Sequence, residues 1–245
     1  MSTTTENPNH KPQLVLPGQV AAPDGPVDMK MMYVMHHAFR RDLNKFASAV
    51  AATPAEDVAT WQALHARWVI FFEVLHNHHS GEDAGVWPFL LERADEAERA
   101  TLEAMEEEHS HIDPLLESCA NGFARLAGPR GGFDADDVRH ALKVRVEATR
   151  DALARHLGHE ESEAIVILQK YMTEEQWLAL EKEHFQKKKG SIGFLFAVVP
   201  WVVDGMDAEV RDRVFAELGG PFKVIWVLSR RAHRKRAEKA FRYAA

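Results

Sequence analysis

Two copies of one spacing, His78-x-x-x-Glu82 and His156-x-x-x-Glu160, fall where a long apolar-periodic helix pattern asks for a hydrophobic side chain. A histidine and a carboxylate four residues apart lie on one helical face, roughly 6 Å apart at Cβ, so both can reach one ion. His36 and His109 occupy stripe positions in two further helix patterns. Burying that many ionisable groups without partners costs several kcal/mol apiece, and a metal centre between helices would satisfy them. The candidate metal ligands are therefore His36, His78, Glu82, His109, His156 and Glu160. Imidazole and carboxylate without thiolate suit iron, manganese or zinc at five or six coordination better than a sulfur-rich structural zinc site. Six such donors are too many for one ion with an open position and suit two ions bridged by the carboxylates. A paired iron centre is the expected cofactor.

Helical geometry sorts the remaining candidates. Position i+4 sits only about 40° around the helix from the histidine, whereas i+5 sits about 140° away, so Asp83 and Glu161 are expected off the face. Asp113, one turn after His109, could add an oxygen, with Pro114 leaving its direction open. His37, His79 and His111 neighbour the stripes but point off them, and His65, His76, His140, His159 and His184 fall on flanks. His10 and His233 belong to an arm and a tail. These are expected to be solvated, with His79 or His159 at most supporting a ligand.

The elements that would position the ligands follow from periodicity. From Asp28, a candidate N-cap, Met32, Phe39, Leu43 and Phe46 make one apolar stripe in which His36 fills a step. Thr53-Pro54-Ala55-Glu56 has the form of a capping box opening a second helix through Trp61, Leu64, Trp68, Phe71 and Leu75 to His78 and Glu82, ended by Gly85 and Pro88. A third helix begins after Asp95 and carries Leu102, Met105, His109, Ile112, Leu116 and Phe123. A fourth, capped by Asp134, carries Leu142, Val146, Leu153, His156, Glu160 and Ile167. The expected fold class is all-α: an antiparallel four-helix bundle over residues 28–172, preceded by a disordered or draped arm over 1–27. Additional C-terminal helices over 173–245 are expected to pack on it. There Thr173 with Gln176 reads as a capping box, the lysine run and Gly190 as a stop, and Asp207 as another cap. The Pro200-interrupted apolar stretch from Phe194 to Val203 is expected to pack on the bundle.

Composition limits the function classes. The chain has 245 residues and a single cysteine, Cys119, which excludes an internal disulfide framework and points to a reducing, cytoplasmic setting. No apolar run reaches the ~18 residues of a transmembrane segment, and no export signal opens the chain. The net charge of −7 is uneven: residues 221–245 hold eight Lys/Arg against one acid, a net +7, leaving −14 for the rest. An acidic body argues against nucleic acid as a partner.

With these residues in place, the chain resembles the hemerythrin-like, or HHE cation-binding, domain proteins of bacteria over roughly residues 30–170. Met35-His36-His37-Ala38-Phe39 resembles the first-helix motif, and His78-His79-Ser80-Gly81-Glu82-Asp83 with Trp87-Pro88 the second. Glu108-His109 resembles the third, and His156-Leu157-Gly158-His159-Glu160-Glu161 the fourth. The resemblance implies a non-haem di-iron centre bridged by two carboxylates and an oxo or hydroxo group, with one iron open to dioxygen, nitric oxide or peroxide. The chain differs from oxygen-carrying members, which have a further histidine where Asp113 stands and usually an aspartate at i+5 as the last carboxylate. The expected function is binding of such a small ligand in oxygen, redox or nitrosative stress handling. The alternatives are a di-iron enzyme with catalase-like or nitric-oxide-consuming turnover, and a metal-stapled structural or interaction protein using the basic tail. A ferritin-like oxidase fits less well, since that class uses Glu-x-x-His pairs with more glutamates than histidines.

Overall fold

The computed structural model describes residues 11–129, 131–132, 134–185 and 192–244. His10 and the lysine-glycine stop lie outside the described residues. The fold is an all-α bundle with further C-terminal helices. In chain order, α1 runs Lys30–Ala52, α2 Val58–Gly81, α3 Trp87–Leu91, α4 Glu96–Ala127 and α5 Ala135–His159. Then come α6 Ile165–Tyr171, α7 Glu174–Leu180, α8 Ile192–Val202, α9 Ala208–Leu218 and α10 Gly220–Ala240. Among the described residues no helix is long and apolar enough to cross a membrane.

Local side-chain chemistry sets the helix ends. Thr53 does not open α2: its hydroxyl donates to the Ala49 carbonyl at 2.6 Å and closes α1. The cap of α2 is Asp57, whose carboxylate accepts from the Thr60 N–H at 3.1 Å and its hydroxyl at 2.8 Å. Asp95 and Asp134 cap α4 and α5 by accepting from Glu98 N–H at 3.0 Å and Asp136 N–H at 2.8 Å. Thr173 and Gln176 form the expected capping box, while Asp207 stands at the cap position of α9 without a side-chain bond.

Gly85 and Pro88 do not end the second helix. After Gly81 the backbone widens into a π-helical segment, Glu82–Val86, and returns to α-geometry at Trp87. Pro88 sits in the first turn of the resumed helix, where a missing N–H is tolerated. The same thing happens after α5, where Glu160–Ala164 is π-helical before α6.

The chain divides into two compact units. The first comprises Met1–His37, Asn77–His109 and Arg155–Lys188. Its apolar core includes Met32, Trp87, Leu102, Met105, Ile165 and Trp177. The described arm is held to it by the Gln169 carboxamide, which accepts from Val27 N–H at 3.0 Å and donates to Val27 C=O at 2.9 Å. A Cβ on Gly25 would overlap that carboxamide. Gly25→Ala should therefore break the buried clamp and cost about 1–3 kcal/mol, read by urea unfolding; an unchanged midpoint would show that the arm adjusts freely.

The second unit comprises Ala38–His76, Ser110–Ala154 and Lys189–Ala245. Its interior is aromatic, with Phe46 packed 5.0 Å from Trp68, 5.4 Å from Phe123 and 5.3 Å from Phe241 between ring centroids. The apolar α8 stretch is buried here through Trp201, whose Nε1–H donates to Asp42 at 2.8 Å. Arg67 adds two bonds to the same carboxylate, at 2.6 and 3.0 Å. Arg41 also donates to Asp42 and reaches the carbonyls of Trp201 and Asp204, satisfying the C-terminal end of α8.

Candidate metal centre

Each His-x-x-x-Glu pair ends on the first residue of a π-helical segment. The Trp87 N–H reaches back five residues to the Glu82 carbonyl, and the Ile165 N–H does the same to Glu160. Such a turn inserts one residue, so the side chains after it are rotated by about 100° relative to an unbroken helix. Downstream of the first segment Trp87 and Leu90 face the core, and inside the second Glu161 is buried along with Glu160.

All six expected ligands lie in the first unit, each no more than 5% exposed. They fall into two neighbouring sets. His36, His78, Glu82 and Glu160 offer ligand atoms within 4.8 Å of one another, and so do His79, His109 and His156. The two carboxylates face both sets. Glu82 places Oε1 at 3.1 Å from His78 Nε2 and Oε2 at 3.7 Å from His109 Nε2. Glu160 Oε2 lies 3.2 Å from His36 Nε2 and 4.0 Å from His156 Nε2.

The outer faces of three rings are fixed by acids. His36 Nδ1 faces Glu161 at 2.9 Å, His109 Nδ1 faces Asp83 at 2.7 Å and His156 Nδ1 faces Glu108 at 2.8 Å. Such carboxylate–imidazole pairs orient a ring and set its tautomer. Asp83 and Glu161, expected to point away, thus grip the histidines from behind. Glu108 also holds His159 at 2.9 Å. With Nδ1–H donating outward on His109 and His156, their Nε2 atoms face each other at 3.0 Å, a contact that either a proton or a metal ion between the rings satisfies.

Electrostatics point the same way. Burial, followed by the nearby Glu160 charge, pushes the Glu82 carboxyl well above the ordinary range. Burial also resists charge on His36, but Glu160 and Glu161 beside it lift the imidazole to about 9. A proton there stands where a cation could sit, so metal uptake would release it. Burial and the neighbouring His36 lower His78, leaving the neutral ring that can ligate. All four carboxylate oxygens of Glu82 and Glu160 are buried without a hydrogen-bond partner. Buried polar atoms are almost always satisfied, so this donor set fits a bound metal pair.

His79, expected at most to support a ligand, is part of the buried interior. It is 2% exposed, stacks on His109 with ring centroids 4.0 Å apart, and both of its ring nitrogens lack hydrogen-bond partners. It lies four residues after Leu75 and three before Glu82, a spacing that the helical period admits as readily as that of His78. Two aromatic rings from the π-helical segment Glu181–Phe185 wall this region: Phe185 lies against Gly81 and His184 against Gly85, where a Cβ would overlap each ring.

A family model of the hemerythrin HHE cation-binding domain matches residues 28–168. The chain belongs to the hemerythrin HHE family. No curated protein and no solved structure matches it. The match therefore runs from α1 into α6 and contains every residue of both donor sets. Asp113, at the position of the further histidine in oxygen-carrying members, is partly buried and belongs to neither set.

Proposed function

We propose that this HHE protein is a non-haem di-iron protein that takes dioxygen, nitric oxide or peroxide as its ligand. The observation that carries the reading is the pair Glu82 and Glu160, buried, with all four oxygens unbonded and each facing imidazoles of both sets. His36 and His78 would hold one ion, His109 and His156 the other, and the two carboxylates would bridge them. When bound, the iron pair supplies a redox centre and a Lewis acid at which a small ligand can be held. The protein's part is to fix ring directions through Asp83, Glu108 and Glu161 and to keep bulk water out through Phe185, His184 and the core around Trp87.

Iron loading tests this reading. The protein should take up two irons per chain and show the near-ultraviolet absorption of a coupled ferric pair, which zinc lacks. At a free iron level about 100 times the dissociation constant, one site adds about 2.7 kcal/mol and raises the melting temperature by roughly 5–10 °C. One ion per chain, or zinc alone with no change in melting on its removal, would refute the proposal. A reversible visible-band change under oxygen identifies a binder, whereas gas evolution on adding peroxide identifies turnover.

A further inference from the structure

We infer that His79 is a metal ligand of this chain, supplying a third imidazole to the ion held by His109 and His156. The inference rests on the di-iron reading and adds a donor to the six expected ligands. His79 is 2% exposed, and neither Nδ1 nor Nε2 has a hydrogen-bond partner. A buried imidazole with both nitrogens unbonded is costly unless something else engages one of them. What faces it is the other half of the centre: the ring stacks on His109 at 4.0 Å with 12° between planes and meets His156 edge-on at 5.3 Å. One nitrogen from each of the three rings falls within 4.8 Å of the others.

Adjacent residues on a helix diverge by about 100°, so His78 and His79 serve different sets from one turn of α2. Their rings are 5.9 Å apart, with His78 grouped with His36 and His79 with His109. The alternative, a ring that merely fills space, gives no reason for an imidazole whose nitrogens are both unbonded; an apolar side chain would pack there at lower cost.

The test uses the full-length protein loaded with iron(II), comparing wild type with His79→Ala, His79→Gln and the control His37→Ala, a half-buried histidine outside both donor sets. In chelator competition, wild type and His37→Ala should hold two irons. His79→Ala should hold one at wild-type affinity and the second at least about tenfold more weakly. Mössbauer spectra should show one iron environment altered and one retained, and added imidazole should restore the second iron in His79→Ala alone. His79→Gln, closer in size, gives the same reading if the alanine variant does not fold. Two irons with unchanged affinity and spectra in the His79 variants would overturn the inference while leaving the di-iron reading standing. Fewer than two irons in wild type would overturn that reading itself.

Discussion

Replacing Glu82 and Glu160 together by alanine should leave a folded protein that no longer takes up iron. Each carboxylate faces imidazoles of both sets, so its loss strips a donor from two ions at once. Losing only an outer carboxylate that orients a ligand typically costs 10- to 100-fold in metal affinity. Removing both bridging groups should therefore lower affinity by at least about 100-fold, and the iron-induced rise in melting temperature should vanish. The metal-free variant should be no less stable than metal-free wild type. Glu82 takes with it a buried carboxyl that resists ionisation, and the loss of the His36–Glu160 pair is limited because His36 keeps Glu161 at 2.9 Å. Calorimetry with and without iron reads both effects. A variant that still binds two irons, or one that unfolds only in the metal-free form, would show that these carboxylates stabilise the bundle and are not ligands.

The second large effect belongs to Asp42, outside the metal centre. Its carboxylate is fully buried and accepts from Arg67, Arg41 and Trp201, so it ties α1 to α2 and α8 within the second unit. Asp42→Ala strands Arg67, itself only 7% exposed, together with the indole N–H. Breaking a buried pair by removing one partner costs about 3–5 kcal/mol, a large share of the 5–15 kcal/mol of an ordinary domain. Asp42 also carries a pH signature. Burial opposes its ionisation, but the Arg41 and Arg67 charges hold the carboxyl far below the usual carboxylate range. A depressed folded-state value means that this contribution is complete above the unfolded value of about 4 and is lost as pH falls below it. Asp42→Asn should thus be destabilised at pH 7, and the gap to wild type should narrow between about pH 5 and pH 2. Urea unfolding across that range measures the difference, and a gap independent of pH would exclude the carboxylate charge as the source.

The first of these predictions is accessible from sequence because candidate ligand and core positions share one helical period. His36, His78, Glu82, His109, His156 and Glu160 are polar residues at positions where the stripe demands apolar ones, and the structure buries all six. The bundle was legible for the same reason, since Met32, Trp68, Leu102 and Leu142 mark one inward face on each long helix. Capping was legible only where it is local: the Thr173–Gln176 box forms as expected. Thr53 also has box spacing, but its hydroxyl goes to the preceding helix, and which of two neighbouring backbones a threonine serves depends on the path of the turn.

The π-helical segments could not be read from the sequence. They replace a four-residue hydrogen-bond span by a five-residue one without any residue type demanding it, so the second helix is read as ending at Gly85 and Pro88 where the chain continues helical to Leu91. Asp83 and Glu108 escaped for a related reason. A carboxylate that grips the back of a ring on another helix follows no periodicity of its own helix. Asp42 was hidden likewise, because its partner Trp201 lies 159 residues away in sequence.

What the sequence by itself determined is the helical class, the inward stripe and the donor residues set into it, all consequences of a repeat that each helix carries alone. What only the tertiary structure decided is how those side chains divide between two sets, which acids hold them from behind, and that His79 is buried beside His109 and His156. Those outcomes depend on where side chains of separate helices meet across the interior, and a one-dimensional period contains no information about that crossing.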